Sequence, residues 1–488
     1  MRKLLPVLVV LLVFPVIFQL LIPGFYASDD GEWMVIRFTS FYQELADFQI
    51  PVRFLSRLNN EYGYPVATFL YPGFMYIASL FKVAGFGFIV SIKAVLILSV
   101  FSAFIGMFLF LKNHFSQISA LVGASLYIYS PYFLWDIYKR GSVGEVVALG
   151  IIPVILYCID SDRRVLASII TALLIISHNT IALLSLPIVL LYLLITQLTK
   201  KVNIKTFVSR ILLYTILFLG VSAFFWIPAI FELPFTAFKD TTISNFGKYF
   251  VPDYELMGGL NIIILLISII YISFKRTYSS VLYLMVGVSL VSLFLSNEIF
   301  SFFWTDRYLG KFVQFPFRFL SLFTVAIAYL GAFLFSTIKQ YIPIFAFLCV
   351  GFIIVSAVPF ISNVEHKDVT DSYYSTNVDT TTVKNEYMPT WVTTIPKSIP
   401  VQKIERIDEN TVQINTIYWP GHMVVVNGVK VPIDYSNEQG IIRVKTDVPI
   451  KNITLFFGET RLRLISDVIS LVSVLIATLL IFQKNEYA

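Results

Sequence analysis

Ser28-Asp29-Asp30-Gly31-Glu32-Trp33 follows directly on an apolar run from Leu4 to Ile22. The run is long enough to cross a bilayer. Three carboxylates just beyond a first span are costly to hold near lipid, so they point to a polar site at the membrane surface. Met1-Arg2-Lys3 before the run and the poor small-x-small pattern in Gly24-Phe25-Tyr26-Ala27-Ser28 favour an uncleaved first span over a signal peptide.

The rest of the chain carries the same character outward. Hydrophobic residues make up 57% of its 488 residues, charged residues only 14%, and mean hydropathy is +0.79. So little charge cannot cover a soluble surface, and the expected class is an all-α polytopic membrane protein. The formal net charge of +6 reflects basic loops on one membrane face rather than a nucleic-acid footprint. Cys158 and Cys349 both lie in apolar runs, and the four histidines are scattered, which offers neither a disulfide framework nor metal-ligand spacing.

After the first span, apolar runs lie near residues 88–111, 117–134, 143–159, 164–180, 181–197, 208–228, 259–274, 280–296, 319–337, 342–361 and 464–482, about twelve helices in all. Val66–Val83 is apolar but broken by Tyr71-Pro72-Gly73. If it does not cross, the short loops bearing Lys112, Arg163-Arg164, Lys200-Lys201, Lys275-Arg276 and Lys339 fall on the same face as Arg2-Lys3. The expectation is a multi-pass plasma-membrane protein with cytoplasmic termini and large extracytoplasmic loops, the first spanning residues 23–87. Three parts are expected: a membrane domain over 1–361, an extracytoplasmic loop and domain over 362–463, and a final span with a short tail over 464–488. Residues 401–457 alternate in period two, and Asn427-Gly428 is a type I′ hairpin signal. This predicts a small antiparallel β-sandwich before the last helix.

The short cytoplasmic turns leave no room for a nucleotide domain, and neither a Walker nor a Rossmann glycine pattern occurs. Chemistry is therefore expected on the outer face. Asp29 and Asp30 are candidate catalytic acids: one as general base toward a hydroxyl, the other orienting the acceptor. With Glu32 they are the only candidates to hold a divalent cation, since hard cations prefer oxygen ligands. The bland alternative is a solvated acidic turn.

Tyr62-Gly63-Tyr64-Pro65 and Phe69-Leu70-Tyr71-Pro72 place amphipathic rings that suit a headgroup belt, with Tyr64 a candidate substrate contact. Tyr138-Lys139-Arg140-Gly141-Ser142-Val143-Gly144-Glu145 puts Lys139 and Arg140 on the face that the charge rule disfavours. Arg140 can bind a lipid phosphate or pair with Glu145. Arg307 and Arg318 are further phosphate candidates, with helix-end snorkelling the alternative for Arg318. His178, in Ser177-His178-Asn179, is either a site wall or a satisfied helix–helix contact.

These features together resemble the GT-C superfamily of membrane glycosyltransferases. Tyr62-Gly63-Tyr64-Pro65…Tyr71-Pro72, Tyr138-x-Arg140-Gly141-x-x-x-Glu145 and Glu386-Tyr387-Met388-Pro389 are similar to the bacterial family called membrane protein 6-pyruvoyl-tetrahydropterin synthase-related, and to YfhO-like proteins. Tyr418-Trp419-Pro420-Gly421-His422…Asn427-Gly428 resembles the β-domain of the latter, with His422 and Asn427 in place of Trp and Asp. Pterin chemistry is not expected, because four isolated histidines cannot form its zinc cluster. The resemblance implies a sugar transferred from a polyprenyl-phosphate donor to an extracytoplasmic glycan or lipid acceptor, without nucleotide or nucleic acid, and Asp29 or Asp30 matches the superfamily's first-loop acid. A flippase for a polyprenyl-linked glycan and a non-catalytic assembly factor are the competing readings.

Overall fold

The computed structural model describes residues 5–200, 202–240, 246–251, 254–276, 279–304, 309–338 and 342–485. Every apolar run picked out above is helical. Length separates them. Among the described residues, seven helices are long and apolar enough to cross a membrane: Phe88–Lys112, Val143–Asp160, Asn179–Thr199, Ile204–Val221, Pro316–Ser336, Pro343–Ser362 and Arg461–Gln483. The pair Gln117–Ile128 and Pro131–Arg140, bent by 43°, makes an eighth if taken as one span. Others fall short of the expected twelve full spans. Arg164–Ser177 has 14 residues, which at a rise of about 1.5 Å per residue reach roughly 21 Å, less than the ~30 Å apolar core of a bilayer.

The breaks have local causes. Pro131 sits in the first turn of its helix, behind an extended Ser130, because a residue before proline avoids the helical region. That helix then widens into a π-turn over Asp136–Arg140 and stops at Gly141, which is left-handed with φ 67°. Such turns often mark functional sites.

Long-range contacts gather the polar segments at one end of the bundle. Asp371 caps the start of Phe88–Lys112 through the N–H groups of Phe88 (2.6 Å) and Ile89 (3.0 Å). The Lys93 ammonium donates to the Ile22 carbonyl at the end of the first helix. Residues 22 and 88 therefore share one end. Val66–Val83 is two short helices, Val66–Phe69 and Gly73–Val83, the longer of 11 residues and too short to cross a bilayer.

Residues 404–457 form two three-stranded antiparallel sheets. Thr411–Ile417 is the middle strand of one, between Ile404–Arg406 and Ile441–Lys445; His422–Val426 is the middle strand of the other, between Val429–Val431 and Ile453–Phe457. Their alternating apolar faces bury one core that includes Val412, Ile414, Val424, Val426, Ile442 and Val444. Val426 pairs with Val429 across Asn427-Gly428, both at positive φ, as a type I′ turn requires.

The sheets are fixed to the membrane part. Trp419 is fully buried against Phe69 and Trp391. His422 packs edge-on to Phe54 at 4.8 Å, and the Ile417 N–H donates to the Tyr62 carbonyl (2.8 Å). Arg463, at the head of the last helix and wholly buried, grips both oxygens of Glu232 at 2.8 and 2.7 Å.

Candidate functional site

Two short stretches zip together by backbone. The Asp29 N–H donates to the Lys139 carbonyl (2.9 Å), and the Asp30 N–H to the Arg140 carbonyl (2.7 Å). This approach explains Gly141, while Gly144 makes room for Tyr71. A Cβ on Gly141 would lie 2.5 Å from Ser28 Oγ and 2.7 Å from the Gly31 backbone, and one on Gly144 would lie 2.3 Å from the Tyr71 ring. Asp30 is the N-cap of Gly31–Ala46 yet makes no capping bond with its side chain. Its carboxylate points instead toward Arg140, Oδ2 to Nη2 at 3.6 Å, while Asp29 lies 3.2 Å from Lys139 Nζ.

Behind this rim lies a buried charge cluster. Arg140 Nη1 donates to Glu145 Oε2 at 2.7 Å and to Asp136 Oδ1 at 3.0 Å, and both acids are fully buried. The Tyr132 hydroxyl donates to Glu145. Arg318 Nε stands 3.7 Å and His178 Nε2 3.6 Å from the same Glu145 oxygen. Arg140 also lies over the Phe317 ring, 4.9 Å from its centroid. Burying such charges is tolerable only where they compensate one another. Lys139 and Arg140 thus sit at this end because acids hold them there.

The cluster opens into a cleft of two lobes. One, about 610 Å³, is walled by aromatic rings with Asp29 and Asp30, among them Trp33, Trp135, Tyr249 and Phe317. The other, about 380 Å³, is lined by Arg37, Arg140, Lys248, Arg318 and Lys384 against two acids, Asp30 and Glu386. Asp30, Trp33, Arg140 and Lys248 line both. A third cavity of about 430 Å³ lies between Leu126, Gly259, Ile353 and Phe360, and shares Glu255 and Phe360 with the first.

The predicted residues therefore meet in part. Asp29, Asp30, Arg140, Glu145, Arg318 and His178 converge. Arg318 does not snorkel; it turns inward, its Nη1 donating to the Val313 carbonyl at 2.8 Å while Nε has no hydrogen-bond partner among the described residues. His178 caps Asn179–Thr199 with Nδ1 (3.2 Å to the Ile181 N–H), and its Nε2 has no hydrogen bond among the described residues. It is a buried cap beside the cluster and does not line the cleft. Glu32 faces away: Lys367 and the Tyr374 hydroxyl engage it. The three acids of the opening run do not meet as a cation site, and among the described residues no group of three or more His, Cys, Asp or Glu does so.

Tyr64 is buried outside the cleft, its hydroxyl 3.0 Å from Thr382 Oγ1 and accepting from the Tyr387 N–H (2.9 Å). Tyr62 and Tyr71 are buried too, so these rings pack inside the protein rather than forming a headgroup belt. Tyr71 stacks on His178 with ring centroids 4.4 Å apart. Arg307 lies outside the described residues. Not foreseen were Asp136, Tyr132, Trp33 and Lys248. Asp136 carried a signal, being an acid just past the apolar run 117–134, four residues before Arg140.

Several solved structures resemble this backbone. The arabinofuranosyltransferase AftD from Mycobacteria matches in two structures: a mutant form at 15% identity over 74% of this chain and 28% of its own, TM-score 0.47, and another at 13% over 74% and 26%, TM-score 0.43. The Archaeoglobus fulgidus oligosaccharyltransferase matches at 14% identity over 79% of this chain and 60% of its own, TM-score 0.40. The chain thus spans about a quarter of the length of the arabinofuranosyltransferase it matches. No protein-family model and no curated protein matches it.

Proposed function

We propose that this protein is a membrane glycosyltransferase that moves a sugar from a polyprenyl-phosphate donor to a glycan or lipid acceptor on the extracytoplasmic face. One observation carries the reading: Asp30 lies at the junction of a basic lobe and an aromatic, acidic lobe. The basic lobe suits a phosphate, with Arg318 and Lys248 as its ligands. The aromatic lobe suits a sugar, whose ring faces stack on Trp and Tyr while carboxylates take its hydroxyls. The cavity between Leu126, Gly259, Ile353 and Phe360, of mixed apolar and polar lining, adjoins the aromatic lobe and offers room for the first part of the lipid chain.

In the step itself, the acceptor hydroxyl oxygen attacks the anomeric carbon and its proton passes to the Asp30 carboxylate. The bond from that carbon to the donor phosphate oxygen breaks on the opposite side, so the configuration inverts. Arg318 and Lys248 stabilise the charge that develops on the leaving lipid phosphate. Arg140 is a positioning residue, its charge already balanced by Asp136 and Glu145. Asp29, more exposed and paired with Lys139, orients the acceptor. The test is incubation of the purified protein with radiolabelled polyprenyl-phosphate sugars and an acceptor glycan panel. Transfer abolished by Asp30→Asn supports the reading. A folded wild-type protein that leaves every donor intact ends it.

A further inference from the structure

A cleft of about 290 Å³ adjoins the basic lobe, sharing Trp33, Thr381 and Thr382 with it, and is bounded by Asn59-Asn60 and the 378–385 segment. Trp33 lines this cleft and both lobes of the main one. No Lys or Arg lines it, so it has nothing to offer a phosphate. It is too polar for a lipid chain, being walled mostly by Asn and Thr with one acid, Asp379.

The backbone here is bent into unusual shapes. Asn59, Asn60, Thr381 and Asn385 all have positive φ, between 52° and 61° for the four. For a β-branched residue such as Thr381 this conformation is disfavoured, and strain of this kind persists where the surroundings enforce it. The enforcing group is Arg37. It is 2% exposed, and it binds the Thr381 carbonyl through Nη2 (2.8 Å) and Thr381 Oγ1 through Nε (3.2 Å). A buried guanidinium is thus spent on shaping one wall. The Asn60 side chain is tied to the Pro396 carbonyl by Nδ2 (3.0 Å), and Asn385 Oδ1 accepts from Thr380 (2.6 Å). Asn60 Oδ1, Asn385 Nδ2, the Asp379 carboxylate and the Trp33 indole N–H make no hydrogen bond among the described residues.

We infer that this cleft binds a neutral sugar unit of a carbohydrate acceptor, next to the unit that reacts at Asp30. Fixed amides, a carboxylate and an indole together match the donors, acceptors and apolar ring face of an uncharged sugar. Trp33, one turn into the helix that Asp30 caps, separates the two sugar positions. The inference rests on the transferase reading and selects a glycan over a lipid as the acceptor.

The test uses the full-length protein in lipid nanodiscs on an array of neutral oligosaccharides, from disaccharides to hexasaccharides, alongside sugar phosphates. Wild-type protein is expected to retain neutral oligosaccharides. Trp33→Ala and the exposed-rim variant Asp379→Ala, and likewise Asn385→Ala, should each weaken retention about tenfold, as loss of one stacking or hydrogen-bonding partner does. If Trp33→Ala does not fold, the two rim variants decide. Absence of any retained neutral oligosaccharide, or retention indifferent to all three substitutions, overturns the inference. Transfer without such retention would leave the transferase reading standing and remove only this cleft. Retention by this cleft without transfer would do the reverse.

Discussion

Arg140 and Glu145 meet at 2.7 Å with side-chain exposures of 7% and 0%. Asp136 and Asp30 flank the same guanidinium. Arg140 therefore brings little free charge to a ligand. It acts as a post that fixes the rim acid Asp30 relative to the helices at Pro131–Arg140 and Val143–Asp160, and it leaves phosphate recognition to cations whose donors are less committed.

Glu145 is the anion that keeps Arg140, and beside it Arg318, tolerable in the interior. Glu145→Ala strands these charges and should cost about 3–5 kcal/mol, the usual penalty for breaking a buried pair. Glu145→Gln retains the Tyr132 hydrogen bond and should cost less. Thermal unfolding of both variants in detergent measures the difference, and equal stability of Glu145→Ala and wild type would refute the compensation argument.

Asp29 and Asp30 are neighbours with different reach. Asp30 lines both lobes, whereas Asp29 lines only the aromatic one. Asp30→Asn should lower the single-turnover transfer rate by about 10²–10⁴-fold, the range for loss of a general base. Asp29→Asn should lower it far less and act chiefly on acceptor KM. The opposite ranking would move the base to Asp29.

The pairing of Arg140 with Glu145 was legible in the sequence because basic residues on the face that the charge rule disfavours call for a nearby anion. Glu32 was misleading. Residues two apart on a helix face different ways, so Glu32 turns toward Lys367 while Asp30, just ahead of the helix, stays on the cleft. Tyr64 looked like an interfacial ring because the segment that buries it, around Thr382 and Tyr387, lies more than 300 residues away. Local pattern carries no such contact. Trp33 and Lys248 were illegible for the same reason: their roles depend on which cavities the assembled loops enclose.

Gly141 tests the zipper directly, and Gly144 tests the packing of Tyr71 behind it. Gly141 needs both its left-handed φ of 67° and the space that a side chain would take from Gly31. Gly141→Ala should lose about 1–3 kcal/mol and should reduce transfer further by separating Asp30 from Arg140. Gly144→Ala drives a methyl into Tyr71, which then presses on His178. Unfolding temperature and transfer rate should fall together in both variants. Full activity in Gly141→Ala would show that the close approach is dispensable.

His422 gives the protein a predictable acid limit. It lies buried between Phe54 and Phe457, with Nδ1 3.0 Å from the Trp419 N–H, and burial holds its imidazole down to about 3. An unfolded histidine titrates near 6.5. Between those values the unfolded chain binds a proton that the folded protein refuses, so stability rises with pH across this window. The contribution is complete above about pH 6.5 and drains as pH falls toward 3, at no more than about 1.4 kcal/mol per pH unit from this one group. His422→Phe keeps a ring against Phe54 and Phe457 but cannot take the proton. Its unfolding temperature should be lower than wild type at pH 7, where the Trp419 hydrogen bond is lost, and should decline less steeply between pH 6 and 4. Parallel curves for the two proteins would show that the acid sensitivity of the sheet attachment arises at other groups.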